Sequence, residues 1–65
     1  MSREITLEQA AARAHQTEII CRLIEDYPGR LVDSEVSAIA KLLKRLSGDV
    51  TAWLIEELAD REGKQ

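Results

Sequence analysis

Cys21 and His15 are the two side chains with the most distinctive chemistry, because a nearby base is what activates a cysteine nucleophile. The chain contains one residue of each type. Their positions in the sequence place them about 120° apart around a helix, and two residues fall short of the three or four ligands of a zinc site. We therefore expect no catalytic, metal or cofactor site here. Cys21 is predicted to be a small core residue and His15 a solvated one.

The carboxylates show no catalytic organisation either. Glu25 and Asp26 are adjacent in sequence, as are Glu56 and Glu57, so the side chains of each pair diverge along a helix. General acid–base chemistry needs a cleft that perturbs a pKa, and so short a helical chain is not expected to enclose one. The sequence predicts that the protein is not an enzyme.

Composition narrows the class of protein. The 65 residues are 45% hydrophobic and 32% charged, with 12 acidic and 9 basic residues giving a net charge of −3. Such a chain forms one small globular domain, and its acidity disfavours nucleic acid or an anionic membrane as the main partner. A single cysteine suits a reducing compartment. With no apolar run of spanning length and no signal-peptide pattern, we expect a soluble cytoplasmic protein.

Three helices are expected, over about residues 6–26, 34–47 and 49–61, with a frayed tail at 62–65. Thr6 and Gln9 fit a capping box at the first start, and Pro28 disfavours helix just before it. Asp33 or Ser34 is predicted to cap the second helix. Gly48 is predicted to end that helix in the left-handed conformation, with Asp49 capping the third.

Each predicted helix has one apolar stripe. The stripe of the first helix consists of Leu7, Ala10, Ala14, Thr17, Cys21 and Ile24. That of the second consists of Val36, Ile39, Ala40, Leu43 and Leu46. That of the third consists of Val50, Leu54 and Leu58, with Ile55 beside them.

The sequence thus predicts an all-α, compact three-helix domain with a long first helix. A core this small barely offsets the entropy of ordering the chain, which favours completion by self-association as a homodimer. Ile19 and Leu23 lie off the first stripe and are the predicted contact. The alternative is a monomer in which these two residues cover the loop at 27–32.

Residues 34–61 resemble a helix-turn-helix motif in outline, with Lys41, Lys44, Arg45 and Thr51 as the residues that would contact DNA. In that arrangement Glu56, Glu57 and Asp60 would face phosphate, where like charge lowers affinity. DNA binding is therefore the alternative function, and two packed helices joined by a tight turn are the structural explanation of the same pattern.

A second resemblance covers residues 22–36. Arg22-Leu23-Ile24-Glu25, a short loop and Leu31-Val32-Asp33-Ser34-Glu35-Val36 resemble the helix-loop-helix of the Hha/YmoA family of small helical nucleoid modulators. The resemblance implies binding to the oligomerisation domain of H-NS-type silencers, with Asp33 and Glu35 at acidic positions of that family. Residues 42–46 lack the family's Ala-Ala-Asp-His-Arg signature.

Trp53 is the best candidate for a contact with another protein. A helical wheel places it at the edge of the third stripe, beside Glu56, Glu57 and Asp60, where an indole rimmed by carboxylates suits a partner's Arg or Lys. The alternative is that Trp53 fills the core. The predicted function is accordingly a non-enzymatic adaptor or regulator that acts by protein–protein interaction, in transcription control for example.

Overall fold

The computed structural model describes residues 4–63, which form two helices. α1 spans Leu7–Glu25 and α2 spans Asp33–Gly63. They pack against each other as a hairpin 52 Å long and 18 Å wide. The prediction of an all-α protein is confirmed, since the described part of the chain contains no strand. The predicted third helix is not a separate element.

Both ends of α1 follow from local sequence. The side chain of Thr6 accepts a hydrogen bond from the Gln9 backbone N–H, and the Gln9 side chain accepts one from the Thr6 N–H, so the predicted capping box is present. At the other end the backbone N–H of Asp26 donates to the Arg22 carbonyl. Pro28 follows two residues later, where continued helix is disfavoured.

α2 begins at Asp33 without the predicted cap. Asp33 and Ser34 lie inside the helix, and the reciprocal half of a capping box is used instead. The carboxylate of Glu35 accepts the Val32 backbone N–H at 2.9 Å, which satisfies a donor that the first turn leaves unpaired.

The expected break at Gly48 is absent, because α2 continues through it. Gly48 does not adopt the left-handed φ that a helix end would use. Ser47 donates its hydroxyl to the Leu43 carbonyl within the helix, and Asp49, the expected cap, instead contacts Arg13 of α1 at 3.4 Å. Gly48 and Asp49, the two predicted break signals, are thus compatible with continued helix.

The spacing of apolar residues explains why α2 continues through Gly48. Leu46, Val50 and Trp53 follow one another at spacings of four and three residues, so a single helix keeps all three on the side that contacts α1. A turn at residues 47–49 would separate Leu46 from Val50 and Trp53, so that the three would no longer lie on one side of a single helix. The cost of one glycine inside a helix, about 1 kcal/mol relative to alanine, is smaller than the loss of that packing.

The contact between α1 and α2, the inner seam, is narrow. Ala10 and Leu46 are its only buried residues in the described chain, and Thr17, Ile20, Ile24, Ile39 and Leu42 are half-buried. An ion pair between Arg13 and Asp49 crosses it, with Arg13 Nε 3.4 Å from a carboxylate oxygen of Asp49.

The predicted stripes are rotated away from this contact. Ala10 and Leu46 are buried as expected, and Thr17, Ile24, Ile39, Leu43 and Val50 are half-buried. The other predicted stripe residues are exposed, which corrects their assignment to the core: Leu7, Ala14, Cys21, Val36, Ala40, Leu54, Ile55 and Leu58. The predicted tail also differs, since Glu62 and Gly63 belong to α2, and residues 64–65 lie outside the described range.

Candidate interaction surfaces

Trp53 lines a groove where the start of the described chain crosses α2. The groove holds about 140 Å³ and is lined by Glu4, Ile5, Asp49, Ala52, Trp53 and Glu56; we call it the acidic groove. Trp53 and Glu56 are both half-buried, so the indole is neither a core side chain nor a fully exposed one. Three carboxylates border an apolar wall.

Glu57 and Asp60 lie further along α2 and are also half-buried. The carboxylate of Glu57 accepts from Arg61 Nε at 2.7 Å, within the helix. Neither residue lines the acidic groove. The structure thus joins Glu56 to Trp53 in one groove and places Glu57 and Asp60 beyond it.

Arg13 brings a cation to the border of this groove. Its Nε lies 3.4 Å from a carboxylate oxygen of Asp49, and the two side chains are 30% and 39% exposed. One terminal nitrogen, Nη1, is buried without a hydrogen-bond partner among residues 4–63. Arg13 therefore offsets the Asp49 carboxylate, and Glu4 and Glu56 form the outer acidic border.

Ile19 and Leu23, the predicted self-association residues, lie in two neighbouring grooves. Half-buried Ile19 lines one of them together with Gln16 and Arg45. Leu23 is 66% exposed and lines the other, about 490 Å³ in volume, with Tyr27. Leu23 therefore adjoins the loop, as the monomeric alternative expects, while most of its surface faces solvent.

The four candidate DNA contacts, Lys41, Lys44, Arg45 and Thr51, are all exposed. Helical spacing places Lys41 and Lys44 on the side of α2 that faces away from α1, whereas Arg45 and Thr51 each line a groove together with residues of α1. All four belong to one uninterrupted helix, so the turn that a helix-turn-helix reader requires does not occur between residues 34 and 61.

Cys21 and His15 do not form a site. Both are exposed, which corrects the expectation of a core cysteine and matches the expectation for His15. His15 Nε2 lies 4.0 Å from a carboxylate oxygen of Glu18, and Glu18 also pairs with Arg22. Among residues 4–63, no group of three or more histidine, cysteine or acidic residues could hold a metal ion.

The surface that sequence reasoning missed runs along the opposite side of the hairpin from Ile19 and Arg45. A groove there is lined by Ala14, Thr17, Ser47, Val50 and Thr51. Steps of four and seven residues along each helix also reach the charged Arg13, Glu18, Lys44 and Glu57, so the extension of this surface keeps only the uncharged Leu7, Cys21, Val36, Leu43 and Leu54. We call the ten uncharged residues the uncharged seam.

The uncharged seam has a sequence signal. On α2 its members Val36, Leu43, Ser47, Val50 and Leu54 recur at spacings of seven, four, three and four, which is the heptad pattern of a helix packed against other helices. The predicted stripes contained most of these positions but assigned them to the core of one chain.

No helix within residues 4–63 has the length and apolar character needed to cross a membrane. Comparison of the chain with protein-family models, with curated proteins and with solved structures gives no match. The functional argument therefore rests on the surfaces described above.

Proposed function

We propose that this protein is a non-enzymatic helical adaptor or regulator that binds another protein through the acidic groove. The observation that carries the proposal is the composition of that groove: a half-buried indole bordered by Glu4, Asp49 and Glu56. Aromatic residues in partly desolvated pockets are typical centres of binding energy at protein interfaces. A small helical scaffold with such a groove is suited to binding rather than to chemistry.

The groove favours a basic side chain on the partner. A guanidinium or ammonium group over the indole face gains cation–π attraction, and the carboxylates at the border add charge-assisted hydrogen bonds. Arg13 already offsets Asp49, so Glu56 is the groove carboxylate on α2 best placed to select the partner's charge. Glu57 and Asp60 would add longer-range attraction from the same end of α2.

Control of transcription is the setting that the family resemblance suggests. Residues 22–36 fall at the last turn of α1, the loop and the first turn of α2. Asp33 and Glu35 are both exposed there. The oligomerisation domain of an H-NS-type silencer is accordingly the first natural partner to test, and cytoplasmic residence would accompany that role.

Direct DNA reading is the less favoured function. Lys41, Lys44 and Arg45 give α2 a basic stripe, but Thr51 continues the same helix instead of starting a recognition helix. The chain also carries a net charge of −3, which lowers affinity for phosphate.

The test uses Trp53 as its own reporter, because it is the single tryptophan. An amphipathic helical peptide with arginines on one face is titrated into the protein, and the same peptide with glutamine at those positions is the control ligand. We expect a saturable change in fluorescence with the arginine peptide and about tenfold weaker binding by Glu56→Lys, the loss of one charge-assisted contact.

Glu8→Lys is the matched control, since Glu8 is an exposed acid at the first turn of α1 outside the acidic groove. It makes the same change of net charge and is expected to bind the peptide nearly as well as the original protein. Equal weakening by Glu8→Lys, or equal binding of the two peptides, would remove the acidic groove from the proposal. Tight, salt-sensitive binding of duplex DNA would favour the alternative function.

A further inference from the structure

We propose that a second copy of this chain covers the uncharged seam, giving a two-fold symmetric dimer of hairpins, a four-helix bundle. This inference goes beyond the adaptor function and does not depend on it, because the seam and the acidic groove share no lining residue.

The surface area of the single hairpin is the first argument. Its accessible surface is 5386 Å² for 7.3 kDa, whereas a compact monomer of this mass exposes about 4,200 Å². The excess exceeds the roughly 800 Å² per partner that a stable complex buries. One side of the hairpin, 52 by 18 Å, is large enough to supply such a contact.

The second argument is the mismatch between the apolar pattern and the burial. Leu7, Val36 and Leu54 are 58%, 49% and 53% exposed, although they lie on the heptad stripes of their helices. Stripes of this kind mark the centre of a helix bundle. In the single hairpin these residues lie at the edge of the contact between the helices. A second hairpin packed against that edge would place them at the centre of a four-helix bundle.

The distribution of charge favours a second copy as the partner that covers the uncharged seam. Each copy carries a net charge of −3, so self-association requires a contact free of like charges at its centre, and the five residues that line the groove at the centre of the seam are uncharged. Glu18 and Glu25 lie beside Cys21 and form a charged rim, the usual border of an apolar contact. The opposite side contains Arg45 and Glu56 in two of its grooves, which suits a partner of different charge, and a third, mainly apolar groove that includes Leu23.

Sedimentation equilibrium of the full chain tests the proposal, with Leu54→Glu as the disrupting variant. Leu54 is already half exposed, so the hairpin tolerates the change. In a symmetric dimer the contact would bury the new carboxylate of both copies. We expect the original protein to be a dimer at micromolar concentration and the variant to dissociate about 100-fold more readily, because a buried unpaired charge is strongly unfavourable.

Leu23→Glu is the matched control, since Leu23 is exposed on the side where self-association was first predicted. It should leave the dimer intact. A monomeric original protein, or dissociation by Leu23→Glu and not by Leu54→Glu, would overturn the proposal. If circular dichroism shows that Leu54→Glu has lost helix, Thr51→Glu at another exposed position of the seam replaces it. Trp53 fluorescence with the arginine peptide reports separately on the adaptor function.

Discussion

The inner seam and the uncharged seam differ in the charge of their residues and in how far those residues are buried. The inner seam is covered by the chain's own fold, yet an Arg13–Asp49 ion pair crosses it and one Arg13 nitrogen is buried unpaired among residues 4–63. The groove at the centre of the uncharged seam is lined by uncharged residues, yet Leu54 and Val36 are about half exposed. The difference indicates that the inner seam sets the relative position of the two helices. Burial of the apolar side chains on the uncharged seam would stabilise the fold further, but it requires a second surface that covers them.

The largest expected effect is on the inner seam, from Leu46→Ala. Leu46 is the one large buried side chain in the described chain, and truncation of a buried leucine costs about 3 kcal/mol. Urea unfolding followed by circular dichroism should show an unfolding free energy that is lower by that amount. Ile55→Ala, at a position 60% exposed, is the control and should change stability by less than about 0.5 kcal/mol. Similar losses in both variants would mean that Leu46 is not the centre of the packing.

The ion pair offers the next test of the inner seam. Arg13→Ala removes one partner and should cost about 1 kcal/mol, since exposure near a third screens the pair. The double variant Arg13→Leu, Asp49→Leu should be at least as stable as the original protein, because it also removes the buried unpaired nitrogen. Thermal unfolding of the three proteins at one concentration measures this. A double variant less stable than Arg13→Ala would show that the pair does more than set the relative position of the two helices.

Gly48→Ala carries the smallest expected effect and tests the continuity of α2. A Cβ at Gly48 would meet nothing within 4 Å, and alanine is the better helix former by about 1 kcal/mol. The melting temperature should therefore rise. Gly29→Ala in the loop, where the new Cβ would make an ordinary contact with Tyr27 at 3.7 Å, is the control. A destabilised Gly48→Ala would favour the three-helix arrangement, in which Gly48 needs a left-handed φ.

Local signals in the sequence predicted the ends of α1 well. The Thr6–Gln9 capping box and the stop before Pro28 involve residues close in sequence, whose geometry depends little on the rest of the fold. The prediction of a break at Gly48 and Asp49 failed because tertiary packing of Leu46 and Trp53, together with the Arg13–Asp49 contact, favours continued helix over a local break. Propensity is weak beside such packing.

The candidate surfaces were predictable in part. The association of Trp53 with Glu56 followed from their spacing, whereas Glu4 and Ile5 entered the groove only because the chain before α1 crosses α2. The heptad positions could be recognised in the sequence. The side of each helix that faces the other helix could not. That choice depends on how the two helices pack, and a rotation by part of a turn exposes Cys21 and Leu54 while partly covering Ile20 and Leu42.

The most direct test of the central claim is the rate at which Cys21 is alkylated at low and high protein concentration. Cys21 is exposed in the single hairpin and belongs to the uncharged seam, so a second copy would cover it. We predict that the rate constant falls as concentration rises through the dimerisation range, and that Leu54→Glu abolishes this dependence. A rate constant that stays the same at every concentration would contradict the claim that the seam is an interface between two copies.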